Sequence, residues 1–585
     1  MFYSELSEVY QLIESTSKRL EMTEYLVELF NKTPPELMDK IIYLTQGKIL
    51  PDYKGAELGV ADKLALRAIA FATGYQEEFA AERMIETGDI GLVAEELVSK
   101  KKQRALFSEK LDINKVYESF LKIANVAGSK SQDLKFKLIA ELLHDSEPIE
   151  AKYLVRSLTG KIRLGIADMT ILDALSIAFA TKEDHDQIEN VYNLYPDLGT
   201  LGKTLSQEGL AGIDKFQITV GIPLRHMLAE RLSTVEEIFE KLGGKCAFEY
   251  KYDGLRIQAH INPDKISLFS RHLEDITSQF PDIQSILRDS VSVDFAILEG
   301  ECVPINLETG ELLPFQMVSR RRGRKYELES AIKEFPIKLL LFDCLYSEGE
   351  DFTNKPLLTR REKLSSIIKQ NPRVELSNIL ITSEKSEVDK FFAKSLNDGS
   401  EGLMAKSIND DSFYRAGSRG WQWIKYKREY KSEMMDTVDL VIIGAFAGHG
   451  RRTGVYGALL MAAYNKSEDT FETICKLGTG FSDDVLEQIQ TKLNDYRLEQ
   501  KHPRVNSEMK ADYWIEPKFV LEVLGAEITF SPIHTCAYGK LKTDVGMAIR
   551  FPRYTGRWRD DKSPEDATTS KEIIDLYKNQ LKKIK

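Results

Sequence analysis

Only five cysteines occur in 585 residues, and no two of them form a CxxC pair. Cys246, Cys302, Cys344, Cys475 and Cys536 are therefore expected to be reduced core thiols of an intracellular, cytoplasmic protein, neither a disulfide frame nor a zinc module. No uncharged apolar run approaches the eighteen or so residues that span a bilayer. The N-terminus carries Glu5 and Glu8 and lacks a basic stretch leading into an apolar one, so no cleaved leader and no membrane contact are expected. There is no internal repeat, no low-complexity linker and no GxxxxGK[ST] loop, which argues against a P-loop ATPase. Basic residues are in deficit, 80 against 91 acidic, for a net charge of −11. That excludes a uniformly basic binder of nucleic acid, although affinity for phosphate depends on a local face rather than on the average.

What is present is ordinary for a folded protein: 42% hydrophobic and 29% charged residues, enough chain for several domains. Residues 1–220 read as helices. Leu134, Leu138 and Leu142 recur at i, i+4, i+8, and Leu64, Ala68 and Phe71 repeat the pattern. Within this region Arg156-Ser-Leu-Thr-Gly-Lys161-Ile-Arg163-Leu-Gly165 spaces three cations around glycines. From about 240 the period becomes two: Leu255, Ile257, Ala259 and Ile261 alternate with polar residues after a turn at Asp253-Gly254, which predicts a hairpin. Further strands are expected at 266–270, 296–303, 338–346, 402–406 and 423–427, making a mixed α/β domain over 221–432. Residues 433–585 read as short strands of a small OB-fold barrel closed by a helix. The fold class is thus multidomain: all-α, then α/β, then β-barrel.

The segment richest in chemistry is Glu249-Tyr-Lys251-Tyr-Asp253-Gly254-Leu-Arg256. A lysine becomes a nucleophile only when desolvation or nearby cations favour its neutral amine. On a strand edge beside an arginine it is suited to attack phosphorus, yet on these residues alone a plain hairpin lysine is the default reading.

Lys251-x-Asp253-Gly254-x-Arg256 resembles the nucleotidyl-lysine motif of ATP-dependent polynucleotide ligases and mRNA-capping enzymes. The companion blocks stand downstream in that family's order: Phe269-Ser-Arg271, Leu298-Glu-Gly-Glu301, Leu341-Phe342-Asp343, Glu401-Gly-Leu-Met-Ala-Lys406, Trp423-Ile-Lys425-Tyr-Lys427 and Ile549-Arg550-Phe-Pro-Arg553-Tyr-Thr-Gly-Arg557-Trp-Arg559-Asp560-Asp-Lys562. The 156–165 segment and Gly221-Ile-Pro-Leu-Arg-His-Met-Leu-Ala resemble the helical DNA-binding domain and linker of archaeal and eukaryotic replicative DNA ligases, so the likeness covers nearly the whole chain. One departure is His226, where the linker usually has proline; it is expected to loosen the linker.

The resemblance implies an ATP-dependent DNA ligase that seals 5′-phosphate/3′-hydroxyl nicks through lysyl-AMP and adenylated DNA, in replication, repair and recombination. It makes Lys251 the nucleophile and places Glu249, Arg256, Arg271, Glu301, Phe342, Arg419, Lys425 and Lys427 on the nucleotide, with Phe342 stacked on adenine. Lys425 and Lys427 would hold the α-phosphate and favour the neutral amine of Lys251. Glu401, with a share from Glu301, would hold magnesium, or manganese in its place. Arg156, Lys161, Arg163 and Arg271 would contact nicked duplex DNA, and Arg550, Arg553, Arg557 and Lys562 would orient pyrophosphate when the barrel closes. Gln103, Leu106 and Phe107 resemble the short sliding-clamp motif of archaeal ligases. The basic run Arg320-Arg-Arg-Gly-Arg-Lys325 is either a solvated loop or a phosphate contact. A monomer is expected. The competing readings are an RNA ligase or a capping guanylyltransferase on the same core, separated from the first by nucleotide choice, and a catalytically dead DNA-binding protein.

Overall fold

The computed structural model describes residues 1–56, 58–101, 109–126, 128, 131–307, 311–313, 321, 328–369, 371–427, 437–448, 452, 454–525 and 527–582. They form two compact units, Met1–Glu77 with Ala94–Tyr430, and Glu78–Val93 with Lys431–Lys585. No helix among the described residues is long and apolar enough to cross a membrane.

The N-terminal region is helical, as its periodicity predicts, but two of the faces are turned from those expected. In helix Ser131–Asp145 the buried positions are Lys135, Ile139, Ala140, Leu142 and Leu143, whereas Leu134 is 49% exposed. An i, i+4, i+7, i+8 stripe follows the 3.6-residue turn more closely than a strict four-residue repeat. Lys135 tolerates burial because its ammonium reaches the Leu58 carbonyl at 2.6 Å. Helix Asp62–Thr73 likewise buries Ala65, Ala68, Ile69 and Ala72. Phe71 is exposed and meets Phe136 edge-on at 5.3 Å.

The middle region contains two sheets. One runs β1 (Leu228–Arg231), β11 (Arg419–Lys427), β10 (Gly402–Lys406), β2 (Cys246–Lys251), β9 (Ile379–Thr382). The other runs β4 (Ile266–Ser270), β3 (Leu255–Ile261), β5 (Ala296–Pro304), β6 (Ile337–Ser347), β7 (Glu350–Asp351), with β8 (Val374–Leu376) also on β6. The expected hairpin at Asp253-Gly254 does not exist. β2 pairs with β10 and β9, while β3 pairs with β4 and β5, so the chain steps from one sheet to the other there. Gly254 serves close approach: a Cβ would lie 2.5 Å from the Cys302 carbonyl and 2.8 Å from Glu301 Cγ.

The C-terminal region is a curled sheet of OB type. β12 (Val438–Ala447) pairs with β13 (Tyr456–Asn465), with Tyr513–Ile515 and with Val520–Leu524, and β13 pairs with β14 (Thr470–Leu477). Register breaks at Ile442/Gly444 and Phe446/Ala447 bend the strand, as bulges do in small barrels. All five cysteines are buried and unpaired.

Candidate active site

The lysines are brought together by strand register. In the antiparallel run β2–β10–β11, Gly402 pairs with Lys251 on one side and with Lys427 on the other, and Met404 pairs with Glu249 and Lys425. Opposed residues face the same way, so all four charged groups rise from one face. Lys251 Nζ lies 2.5 Å and Lys427 Nζ 2.7 Å from Glu401 Oε2. Burial alone would raise the Glu401 carboxyl, but these two ammonium groups outweigh it and hold it below the usual range. The Oε2 atom is buried, so both ammonium groups meet it away from solvent. Desolvation and then the charges of Arg271, Lys251, Lys427 and Arg419 push the Lys425 ammonium down to about 8.

The second sheet supplies the opposite wall of a cavity of about 440 Å³. Arg256 on β3 pairs with Glu301 on β5. Burial, reinforced by Glu401 and Asp253 and opposed by Lys251 and Arg256, raises Glu301 to about 7. Phe342 on β6 and Trp423 on β11 meet edge-on at 6.2 Å, and the Arg256 guanidinium lies 5.4 and 5.5 Å from their rings. Next to Phe342, the fully buried Asp343 takes a two-point bond from Arg360 at 2.7 and 3.0 Å, which fixes that strand. Lining side chains include Lys251, Arg256, Arg271, Glu301, Phe342 and Lys425, together with Glu249, Glu401 and Lys427.

Glu249 lies at the base, 2% exposed, bonded to Lys406 at 2.8 Å, Arg361 at 3.1 Å and Ser377 Oγ at 3.1 Å. Burial lowers the Lys406 ammonium, which lies 4.4 Å from the Trp423 ring and 4.8 Å from Phe342. Lys406, Arg361 and Trp423 also stand at this site, and the sequence assigns them no role. Lys406 and Trp423 stand inside quoted motifs, at period-two positions from Gly402 and Lys425, and that spacing was the available signal. Arg361 reaches the site from helix Leu357–Ile367 and left none.

Other expected residues lie elsewhere. Arg419 opens β11 and is exposed; it does not line the cavity, though its charge reaches Lys425. Arg271 lines the cavity and also a smaller one of about 220 Å³ with Arg225, Tyr192 and His272. Arg156 corrects the expectation of a DNA contact: it is 2% exposed, paired with Glu14 at 3.0 Å and packed on Tyr153, and so belongs to the core of the helical region. Lys161 pairs with Asp62 at 2.7 Å, and Arg163 takes a left-handed φ of 58° in the same loop. Arg321, from the basic run, is fully buried on Asp282 at 2.6 Å, which overturns a solvated or phosphate-binding role for that residue. His226 does not loosen the linker, because it is buried and bonded at both ring nitrogens. In the C-terminal unit Arg550 pairs with Glu527, Arg557 with Glu522 and Lys562 with Asp439, while Arg553 is exposed. Gln103, Leu106 and Phe107 lie outside the described residues.

Glu401 and Glu301 both line the cavity and offer carboxylate oxygens of the kind that suits a hard divalent cation keeping most of its waters. Among the described residues the one cluster of three or more candidate metal ligands is His185, Asp186 and Glu189, away from this cavity, and there His185 is already bonded to Asp173.

Three family models match the sequence: "DNA ligase N terminus" over 1–176, "ATP dependent DNA ligase domain" over 226–427 and "ATP dependent DNA ligase C terminal region" over 452–562. The chain is 50% identical to DNA ligase 2 of Thermofilum pendens, over 99% of this chain and 98% of that one. It is 45% identical to the DNA ligase of Thermoplasma volcanium, over 100% and 99%. Among solved structures, Pmar-Lig_PreS3 matches with a TM-score of 0.55 at 16% identity, covering 95% of this chain and 99% of that one, a likeness of fold.

Proposed function

Because the chain belongs to the ATP-dependent DNA ligases, we propose that its cavity binds ATP and that Lys251 is the group that carries AMP. The observation behind this reading is the convergence of Lys251 and Lys427 on one oxygen of Glu401, in a cavity walled by Arg256, Glu301 and Phe342. The family seals nicks in DNA, and three in-line displacements would do so here. Lys251, having lost its proton, bonds to the α-phosphorus as the bond to pyrophosphate breaks. AMP then passes from the lysine to the 5′-phosphate at the nick. The 3′-hydroxyl finally displaces AMP and closes the phosphodiester.

Each step spreads negative charge over phosphate oxygens, so positioning and electrostatics supply most of the acceleration. Lys425 and Lys427 would hold the α-phosphate. Phe342, with Trp423 beside it, offers a face for adenine, and Glu249, held by three donors, offers an oriented acceptor at the base of the cavity. Magnesium held by Glu401 and Glu301 would neutralise charge on the phosphates. Arg550, Arg553, Arg557 and Lys562 would meet pyrophosphate, and Lys161, Arg163, Arg271 and Arg419 would meet DNA phosphate. The clamp motif at Gln103, Leu106 and Phe107 would tether a monomeric enzyme to a sliding clamp.

The test is a nicked duplex with a 5′-phosphate, incubated with ATP and magnesium and resolved on a denaturing gel beside a self-labelling assay with ATP. Joined strands and a labelled protein are expected, both lost in Lys251→Ala. Continued labelling of that variant would end the assignment. A magnesium titration of Glu401→Gln in the same assay checks the metal reading, which an unchanged requirement would remove.

A further inference from the structure

The linker from the helical region runs along one face of β3. The Gly221 N–H donates to His260 Nδ1 at 2.9 Å, the Leu224 N–H donates to Gln258 Oε1 at 2.8 Å, and the Met227 carbonyl accepts from Arg256 at 3.0 Å. Alternate residues of one strand therefore hold successive stretches of linker. His226 lies between these anchors, 4% exposed. Its Nδ1 is 2.5 Å from Glu299 Oε1, and its Nε2 is 3.1 Å from the Ser270 carbonyl oxygen.

A carbonyl oxygen only accepts, so Nε2 donates to it. Glu299 is wholly buried and also accepts from Arg256 at 2.7 Å and from the Gln258 amide at 3.3 Å. The result is a buried row of three side chains: His226, Glu299, Arg256. At its far end the Arg256 guanidinium lies over Phe342 and Trp423 in the cavity. The other ring nitrogen grips Ser270, whose neighbour Arg271 lines the same cavity. A buried carboxylate that loses one of its hydrogen-bond partners is left undersatisfied and must shift toward those that remain.

We infer that His226 is a positioning residue for the nucleotide site: by sharing Glu299 with Arg256 and holding the Ser270 carbonyl, it sets where Arg256 and Arg271 meet the nucleotide and couples the seat of the linker to ATP binding. The inference rests on reading the cavity as the ATP site. His226 touches no substrate in this account and acts through the two arginines.

The test uses the full-length chain and follows self-adenylation with labelled ATP. His226→Ala removes the ring and leaves a space of imidazole shape. It is expected to raise the KM for ATP about tenfold while changing the rate at saturating ATP far less. Added imidazole is expected to bring that KM back toward the parent value, which a general loss of packing would not allow. His226→Gln keeps one donor and most of the volume, is expected to raise KM about threefold, and decides the matter alone should the alanine variant not fold. A parent-like KM in either folded variant overturns the inference, and so does a raised KM in His226→Ala that imidazole fails to lower. A parent protein that takes no label from ATP removes the ATP reading and this inference with it, whereas a labelled parent with an indifferent His226 removes the inference alone.

Discussion

His260 stands in the same buried hydrogen-bonded network as His226. His260 accepts from the Gly221 N–H at Nδ1 and donates from Nε2 to Gln258 Oε1, so it is neutral. Burial first, then the charge of His226, lowers His260 to about 3, with Glu299 opposing. An unfolded histidine takes its proton near 6.5, so unfolding takes up a proton as the pH falls below that value. The stability His260 supplies is present above about 6.5 and is lost as the pH falls toward 3, about 3 kcal/mol of it between 6.5 and 4. His260→Gln, neutral at every pH, is expected to flatten the dependence of Tm on pH over that window in calorimetry. Parallel curves for variant and parent would contradict the neutral assignment. Arg156 and Arg321 make a related point: each looks like a phosphate ligand in sequence, and each is buried against a carboxylate, Glu14 or Asp282.

At the scale of elements, the site depends on the chain leaving one sheet and entering another between Lys251 and Leu255. A hairpin would have kept Lys251 and Arg256 in one sheet, and the crossover sets them on facing walls instead. Gly254 permits this because its Cα passes against β5, where a Cβ would meet the Cys302 carbonyl at 2.5 Å. Backbone cannot give way as a flexible side chain can, so Gly254→Ala is expected to displace Arg256 from Glu301 and reduce ATP labelling at least tenfold in protein that still folds. Labelling equal to the parent would show that the crossover yields without consequence. The neighbouring turn chemistry explains the misreading: Asp-Gly is a strong hairpin signal wherever alternating residues flank it, and alternation alone does not say which strand is the partner.

For the whole molecule the net charge of −11 and a family that acts on DNA are reconciled by where the cations lie. Lys251, Arg256, Arg271, Lys425 and Lys427 gather at one cavity, and Arg550, Arg553 and Arg557 follow one another along a short stretch of the C-terminal unit. Contact with phosphate through such local groups makes binding sensitive to salt and indifferent to sequence. Tethering by the Gln103–Phe107 motif would act through local concentration rather than chemistry. Phe107→Ala is accordingly expected to weaken binding to a sliding clamp at least tenfold in surface plasmon resonance, with sealing of a nick in the absence of clamp unchanged. Equal clamp affinity in the two proteins would remove the motif from the account.

The linear sequence was sufficient for the order of the regions, for the strands at 266–270 and 402–406, and for marking Lys251, Arg256, Arg271, Glu301, Phe342, Lys425 and Lys427, which line the cavity, though not Lys406 and Trp423, which line it too. Those follow from local periodicity and from motifs whose spacing is local. Tertiary structure alone decided which faces of the helices are buried, since Lys135 is buried through a carbonyl 77 residues away in sequence. It also decided that both faces of β3 are covered. Leu255, Ile257 and Ile261 read correctly as one apolar face, but Gln258 and His260, which alternation assigns to solvent, are wholly buried under the linker. The seat of His226 was likewise beyond the sequence, because it is set by Glu299 and Ser270, 73 and 44 residues distant. Local patterns encode what a residue prefers; partners that arrive from far along the chain decide which of those preferences is met.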